Sequence, residues 1–148
     1  TSHPSMMRRQ GAQQAMEDAG IRFEDKLYGL SNYDFESAYH AMNGLLARRA
    51  EFTALFAMSD VIAFGAIRAL VSAGLRVPED VSVISIDDSD LARHSEVPIT
   101  SLPHPKENLG KKAAETLLQM IAGKKKDLTY EFDTRVVERE SVAEHKSL

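Results

Sequence analysis

Residues 52–88 carry the strongest fold signal in the sequence and read FTALFAMSDVIAFGAIRALVSAGLRVPEDVSVISIDD. The apolar run at 54–58 is too short for a helix and is typical of a parallel strand buried on both faces. The side-chain oxygens of Ser59 and Asp60 can then cap a helix that begins at Val61. Gly74 suits the left-handed C-terminal end of that helix.

A second apolar run over 81–86 predicts another buried strand, and it stops at two adjacent carboxylates, Asp87 and Asp88. Together the two runs and the helix between them form one strand–helix–strand unit. In open parallel sheets, ligands bind in the crevice beyond the carboxyl ends of the strands. Ser59, Asp60 and the two carboxylates are therefore predicted to share one rim.

Comparable strand positions recur every 28 residues, at Leu27, Leu55 and Val83. That interval is the size of successive strand and crossover-helix units, and it predicts an α/β fold with a three-layer parallel sheet and helices on both faces. Local patterns add helices over 5–19 and 35–46, a strand over 27–30 and an extended piece over 99–102. A further helix is predicted from about Lys106, and its inward side chains are Leu109, Ala113, Leu117, Met120 and Ile121. An edge strand over 130–137 and a frayed end over 141–148 complete the chain.

Composition bounds the classes of protein that fit. A chain of 148 residues that is 43% hydrophobic can fill one core, and it has no cysteine for disulfides or thiolate catalysis. Neither a membrane span nor a secretory signal is recognisable. The net charge of −4 argues against a grip on a phosphate backbone by this chain. Because its first helix has no strand before it, the chain is interpreted as a fragment of something longer.

Asp87, Asp88 and Asp90 form the one acidic cluster at a predicted strand end. Three interpretations compete: magnesium binding, hydrogen bonding to a polyhydroxylated ligand, and capping of the following turn. From the cluster alone, capping is favoured. The five histidines lack metal-ligand spacing, and no nucleophile elbow or glycine-rich phosphate loop is present. The residues alone therefore favour neither a metal site nor a cofactor, and nothing in them points to nucleophilic or nucleotide chemistry.

Two further side chains are candidates for ligand contact. Tyr33, in the loop after the predicted strand at 27–30, could stack on a sugar or a purine ring. Arg8, in the first helix, could form a forked hydrogen bond to ligand oxygens. Taken alone, each has a plainer interpretation, packing for Tyr33 and a surface ion pair for Arg8.

Several segments closely resemble the lac repressor and galactose repressor family of bacterial transcription regulators, in the order in which that family has them. They are residues 10–21 (QGAQQAMEDAGI), 34–39 (DFESAY), 55–60 (LFAMSD), 64–70 (FGAIRAL), 74–88 (GLRVPEDVSVISIDD), 98–102 (PITSL) and 136–141 (VVERES). The likeness covers nearly the whole chain, and the segment 74–88 is its most specific part.

The resemblance implies an architecture and a place in it. Members carry an amino-terminal helix-turn-helix that binds operator DNA, then a two-lobed effector-binding domain like those of periplasmic sugar-binding proteins. Residues 1–148 would be the carboxyl-terminal fragment of that domain, mostly one incomplete lobe, without the DNA-binding part. The operator would then be bound by the missing domain and not by this chain.

The resemblance also implies which residues contact the effector. Arg8, Tyr33, Ser59 and Asp87 fall on effector-contacting positions, and His104 lies near the cleft. The chain departs from the commoner pattern at Ser59, often Asn, at Ala12, often aromatic, and at Ser85, often Gly, so the effector's identity is left open.

The family usually forms dimers through this lobe, and the resemblance places Phe64 and residues 89–98 in that interface. The alternative is that Phe64 is simply part of the core. The function predicted is a cytoplasmic, non-enzymatic, homodimeric effector module of a transcriptional regulator, most simply a repressor that senses a sugar or sugar derivative. An exported sugar-binding protein of a transport system, a purine-responsive regulator and a magnesium enzyme are the alternatives.

Overall fold

The computed structural model describes residues 2–49, 51–124 and 129–144. In chain order its elements are α1 (His3–Asp18), a one-turn 3-10 helix (Asp25–Leu27), α2 (Phe35–Ala47), β1 (Ala54–Phe56), α3 (Asp60–Ser72), β2 (Ser82–Asp87), α4 (Asp90–His94), β3 (Thr100–Pro103) and α5 (Lys106–Ile121).

The three strands form one sheet in the order β1-β2-β3, and both pairs are parallel. Leu55 lies directly opposite Val83, so the 28-residue interval of the sequence is the register of the sheet at these two positions. Each crossover contains a helix, as parallel neighbours require. The predicted parallel α/β class is confirmed.

The helices on either side of β1 begin and end where their capping residues predict. The carboxylate of Asp34 accepts a hydrogen bond from the backbone N–H of Ser37 at 2.8 Å, which caps α2. Ser59 does the same for α3 through the N–H of Ile62 at 3.4 Å. Beyond α3, Gly74 has a φ of 83°, the left-handed conformation that glycine adopts without steric cost.

The core lies between α2, α3 and the sheet. Leu70 of α3, Val83 of β2 and Ile99 before β3 are each fully buried, and Met42 joins them from α2. The two helices approach each other closely at Gly65, where a Cβ would stand 2.6 Å from the carbonyl oxygen of Phe35. A side chain at this position would force the helices apart.

The predicted strand at residues 27–30 is wrong. Its first residue ends the 3-10 helix, and the residues after it have no regular structure. A strand exists only by pairing with a neighbour, and here a cavity of about 670 Å³ separates this segment from Leu55 and Phe56 of β1. For the same reason β1 is not buried on both faces, and Phe56 is 37% exposed.

Helix α5 begins as predicted, but its apolar stripe does not face inward. Leu117 is 56% exposed and Ile121 is 75% exposed. An amphipathic pattern records that a face is apolar but not which element covers it. In the part of the chain that the structure describes, Tyr130 and Phe132 lie beside this face.

The carboxyl-terminal segment also differs from its prediction. Instead of an edge strand over 130–137, Val137 alone forms an antiparallel bridge, with Ser101. Ser141, predicted to be frayed, is fully buried, donates to the carbonyl of Val83 at 2.6 Å and accepts from the N–H of Thr100 at 2.8 Å. Residues 145–148 of the predicted frayed end lie outside the described residues.

Candidate functional site

The carboxyl ends of the three strands form a rim that brings together predicted site residues. Beyond the pair Phe56–Ile84, the N–H of Ala57 donates to the carbonyl oxygen of Ile84, and Ser59 follows two residues later as the N-cap of α3. Asp87 in turn pairs with Pro103, and the N–H of His104 approaches the carbonyl oxygen of Asp87 at 3.5 Å. Ser59, Asp87 and His104 therefore follow one another along the rim.

Arg8 and Tyr33 extend the rim beyond β1. Nη1 of Arg8 donates to the carbonyl oxygen of Met58 at 2.6 Å, so α1 is held next to the residue before Ser59. One turn earlier on α1, the hydroxyl of Ser5 shares a hydrogen bond of 3.0 Å with the hydroxyl of Tyr33. Contacts thus join Tyr33 to α1 through Ser5, Arg8 to the residue before Ser59, and His104 to Asp87.

The five side chains differ in how free they are to meet a ligand. Tyr33 is half exposed and lines the cavity beside β1, Arg8 is half-buried, and His104 is exposed. Ser59 is only 2% exposed, and its hydroxyl already caps α3. The half-buried carboxylate of Asp87 has neither an ion pair nor a hydrogen bond with the described residues. Unlike the hydroxyl of Ser59, the Asp87 carboxylate is thus open to a ligand.

The backbone at the end of β2 is in an uncommon conformation. Asp87 has a φ of 124° and Asp88 a φ of 50°, and neither is glycine. Aspartate adopts a positive φ more readily than most residues, but this conformation still costs free energy. It persists only where contacts with the surrounding structure hold it. The turn therefore aims the Asp87 carboxylate by means of contacts made by its neighbours.

Asp60 is the residue that the sequence reasoning undervalued. It was predicted only to cap α3 and to lie on the shared rim, yet it is 1% exposed and its carboxylate accepts hydrogen bonds from Ser85, Ser89 and Ser101. These three serines lie far from it in sequence. No local pattern marks such a convergence, and only the predicted shared rim of strand ends hinted at it.

The Asp88 carboxylate forms ion pairs with two arginine side chains. They are those of Arg93, at 3.0 Å, and Arg139. Burial raises the pKa of the Asp88 carboxyl, but the hydrogen bonds from Arg93 and Arg139 outweigh it and leave the pKa below its ordinary value. In the described ranges, no three His, Asp or Glu side chains are grouped so that they could hold a metal ion.

Phe64 packs rather than stands free. Its ring centroid lies 5.5 Å from that of Phe35, and its side chain is partly buried against the core. This contact matches the core alternative for at least part of the ring. The predicted role of Phe64 in a dimer remains a prediction.

A family model and individual curated proteins both match this chain. A family model described as the periplasmic binding protein-like domain matches residues 1–142. The HTH-type transcriptional regulator CelR of Thermobifida fusca is 36% identical over 135 residues, which are 90% of this chain and 40% of that protein. The HTH-type transcriptional repressor PurR of Yersinia enterocolitica is 39% identical over 138 residues, or 93% of this chain and 40% of the repressor. The chain thus spans about 40% of the length of these curated relatives.

Solved structures share the fold. A complex of the transcriptional regulator CelR with cellobiose superposes with a TM-score of 0.85 at 36% identity, over 90% of this chain and 41% of that one. A sugar-binding transcriptional regulator of the LacI family from Escherichia coli, in complex with phosphate, superposes with a TM-score of 0.88 at 30% identity. The match covers 95% of this chain and 51% of that one. The lac repressor dimer bound to operator superposes with a TM-score of 0.86, over 94% of this chain and 48% of that one. Because the identity is only 22%, this match supports the fold alone.

Proposed function

The chain belongs to the periplasmic binding protein-like domain family, and from this membership we propose that it is the effector-binding and dimerisation part of a bacterial transcriptional regulator. The predicted resemblance to the lac repressor and galactose repressor family is confirmed, because the relatives are regulators of that family. The regulator we propose is a repressor that senses a sugar or a sugar derivative.

The row of contacts along the rim is the observation that carries this proposal. Tyr33 touches Ser5, Arg8 touches Met58, and Asp87 lies beside His104. A ligand placed over the carboxyl ends of the strands would meet an aromatic face, a fork of donors and an open carboxylate. Convergent polar groups beside an apolar wall are what small-molecule sites require.

The chemistry of these groups favours a hydroxyl-rich ligand. Each sugar hydroxyl both donates and accepts, so the Asp87 carboxylate and the Arg8 guanidinium can bind neighbouring hydroxyls while the Tyr33 ring covers a CH face. Cellobiose is the ligand in the complex of the relative CelR, which supports the sugar class. A purine is the second ligand class, because an aromatic ring stacks equally well on a base.

The regulator would respond by a shift between two arrangements of its lobes. A ligand shifts such an equilibrium only if it binds one arrangement more tightly than the other. In this proposal the chain supplies one wall of the cleft as the carboxyl-terminal part of a two-lobed domain. Operator DNA is bound elsewhere in the protein, which is consistent with the net charge of −4.

The remaining features of the proposal are a homodimer that includes Phe64, a cytoplasmic location and the absence of enzymatic activity. The relatives are transcription regulators and not enzymes. Among the described residues, no helix has both the length and the apolar content to cross a lipid bilayer.

A ligand screen of the full-length protein tests the proposal. Thermal shift followed by calorimetry with cellobiose, galactose, glucose, adenine and hypoxanthine is expected to give one sugar that binds and a purine that does not. A purine that binds, with no sugar binding, would select the purine-responsive alternative. Absence of binding by all of them would overturn the proposal.

A DNA-binding measurement separates the regulator from an exported sugar-binding protein. A regulator is expected to retard its own promoter fragment in a gel, and the sugar that binds is expected to change that retardation. Sugar binding without any affinity for promoter DNA would support the transport alternative.

A further inference from the structure

A single buried carboxylate, that of Asp60, connects the start of α3 with β2, β3 and the turn after β2. Asp60 is the first residue of α3, four residues after the end of β1 at Phe56. One of its oxygens accepts from the hydroxyls of Ser85 in β2 and Ser101 in β3, the latter at 2.7 Å. The other accepts from the N–H and the hydroxyl of Ser89, at 2.6 and 2.7 Å.

This arrangement has a strict geometric requirement. A carboxylate that is 1% exposed is costly to bury unless its oxygens are hydrogen-bonded. All four donors come from three serines on different segments, so each segment must sit at hydrogen-bond distance from the same two oxygens. A fully satisfied buried network of this kind specifies one arrangement of the backbone.

The network encloses the turn that carries Asp87. Ser85 and Ser89, one on each side of that turn, both donate to Asp60. Within the turn, the N–H of Asp88 donates to the hydroxyl of Ser101 at 3.0 Å, and Ser101 donates onward to Asp60. The positive φ values of Asp87 and Asp88 are therefore held at both flanks and in the middle.

The same network reaches the other rim residues. Ser59 is the neighbour of Asp60 in the chain. Ser101 lies in β3, three residues before His104, which follows the end of that strand. A displacement of the Asp60 carboxylate would thus move the ends of β1, β2 and β3 relative to one another. None of the four donors to Asp60 needs to touch a ligand for this to happen.

We propose that Asp60 is a positioning residue for effector binding, which sets the direction of the Asp87 carboxylate and its spacing from Ser59 and His104 through Ser85, Ser89 and Ser101. The proposal rests on the proposed function of the rim. It assigns to Asp60 no direct contact with the effector, and it makes the three serines a second layer that determines effector affinity.

Two buried serines provide a matched test. Ser101 and Ser141 are both fully buried, and each hydroxyl makes two hydrogen bonds. Those of Ser101 belong to the Asp60 network, whereas Ser141 joins Val83 and Thr100 away from the rim. Ser101→Ala and Ser141→Ala should therefore cost similar stability, and only the former should disturb the rim.

Calorimetry on the full-length protein, with cellobiose and adenine as probes, gives the first readout. For the probe that the parent protein binds, we expect Ser101→Ala to weaken binding about tenfold and Ser141→Ala to change it less than about twofold. Asp60→Ala should weaken it further, and Asp60→Asn, which keeps the shape and one acceptor oxygen, should restore part of the loss. Equal losses in Ser101→Ala and Ser141→Ala would overturn the proposal.

Amide hydrogen exchange without any ligand gives the second readout. The N–H groups of Asp88 and Ser89 should exchange at least about tenfold faster in Ser101→Ala and Asp60→Ala, with those of Ser141→Ala unchanged. Unchanged exchange at both amides would overturn the positioning role, even if no probe binds. Failure of the parent protein to bind these probes and the other compounds of the ligand screen would instead count against the proposed function. Should Asp60→Ala not fold, Ser101→Ala alone decides between these outcomes.

Discussion

Arg139 places its guanidinium against the carboxylate of Asp88, 51 residues earlier in the chain. The same side chain donates to the carbonyl oxygen of Ile99 at 2.8 Å, and its backbone N–H donates to the hydroxyl of Thr100 at 2.9 Å. The segment that follows α5 is thereby fastened to β3 and to the turn after β2. Arg139 links the carboxyl-terminal segment to the candidate site.

We expect Arg139→Leu to lower the free energy of unfolding by about 2–4 kcal/mol, because it leaves a mostly buried carboxylate with one cation fewer and the Ile99 carbonyl without its donor. Arg93→Leu is the matched control. Its side chain is 49% exposed against 15% for Arg139, so its ion pair should contribute less than about 1 kcal/mol. Urea unfolding of both variants measures the difference, and equal losses would contradict the assignment.

Gly65→Ala should destabilise the protein by about 1–3 kcal/mol, because the added Cβ would meet backbone where α2 and α3 cross. It would stand 2.6 Å from the Phe35 carbonyl oxygen and 2.9 Å from the Cβ of Ala38. Gly44 is a helical glycine with nothing within 4 Å of its would-be Cβ. Gly44→Ala should therefore stabilise α2, by about 0.5–1 kcal/mol. Thermal unfolding that shifts both variants in the same direction would refute the close approach.

Asp87→Asn should weaken effector binding at least about tenfold, since it removes the charge of the acceptor while asparagine tolerates the positive φ of this position. Asp90→Asn removes an equal charge from a side chain that is 90% exposed, three residues along the chain, and it should leave the affinity unchanged. Calorimetry with the ligand found in the screen compares the two. Unaltered affinity in Asp87→Asn would remove Asp87 from the site, and operator binding without effector should be the same in both variants.

Tyr33 makes two separable contributions that substitution can distinguish. Tyr33→Phe keeps the stacking face and loses only the hydrogen bond to Ser5, so effector affinity should fall by less than about threefold. Tyr33→Ala removes the ring, and affinity should fall about tenfold. The same calorimetric titration tests both. A Phe variant as weak as the Ala variant would mean that Tyr33 acts through Ser5 and not through its ring.

The lowered pKa of Asp80 makes the stability of the protein depend on pH. Hydrogen bonds from the side chain and the backbone of Arg76 lower the pKa of the Asp80 carboxyl to about 2. A pKa depressed by folding adds stability above the unfolded value, near 4, and that stability is lost as the pH falls through the folded value. The difference in unfolding free energy between the parent and Asp80→Asn should thus shrink between about pH 4 and pH 2. A difference that is constant over this range would contradict it.

The central unit of the fold could be predicted from sequence because its signals are local. The caps at Asp34 and Ser59, the end at Gly74 and the apolar runs around Leu55 and Val83 each specify their own element, and all are confirmed. The shared rim followed from one rule about parallel strands. It needed no knowledge of which side chains touch.

Predictions failed where the outcome depended on a distant partner. The segment at 27–30 has the composition of a strand but lies across a cavity from β1. The stripe of α5 is apolar, yet Leu117 and Ile121 are largely exposed to solvent. Ser141 follows a segment without periodicity, yet two hydrogen bonds bury it. In each case the pattern gives a preference, and the neighbour determines the structure.

The hollow beside β1 has a consequence for handling these 148 residues on their own. No described strand pairs with the outer edge of β1, and Leu55 and Phe56 line the hollow next to that edge. An open edge beside apolar side chains is a template for polymerisation. Because aggregation through such an edge increases with protein concentration, these residues are best kept dilute, at low temperature and fused to a soluble partner.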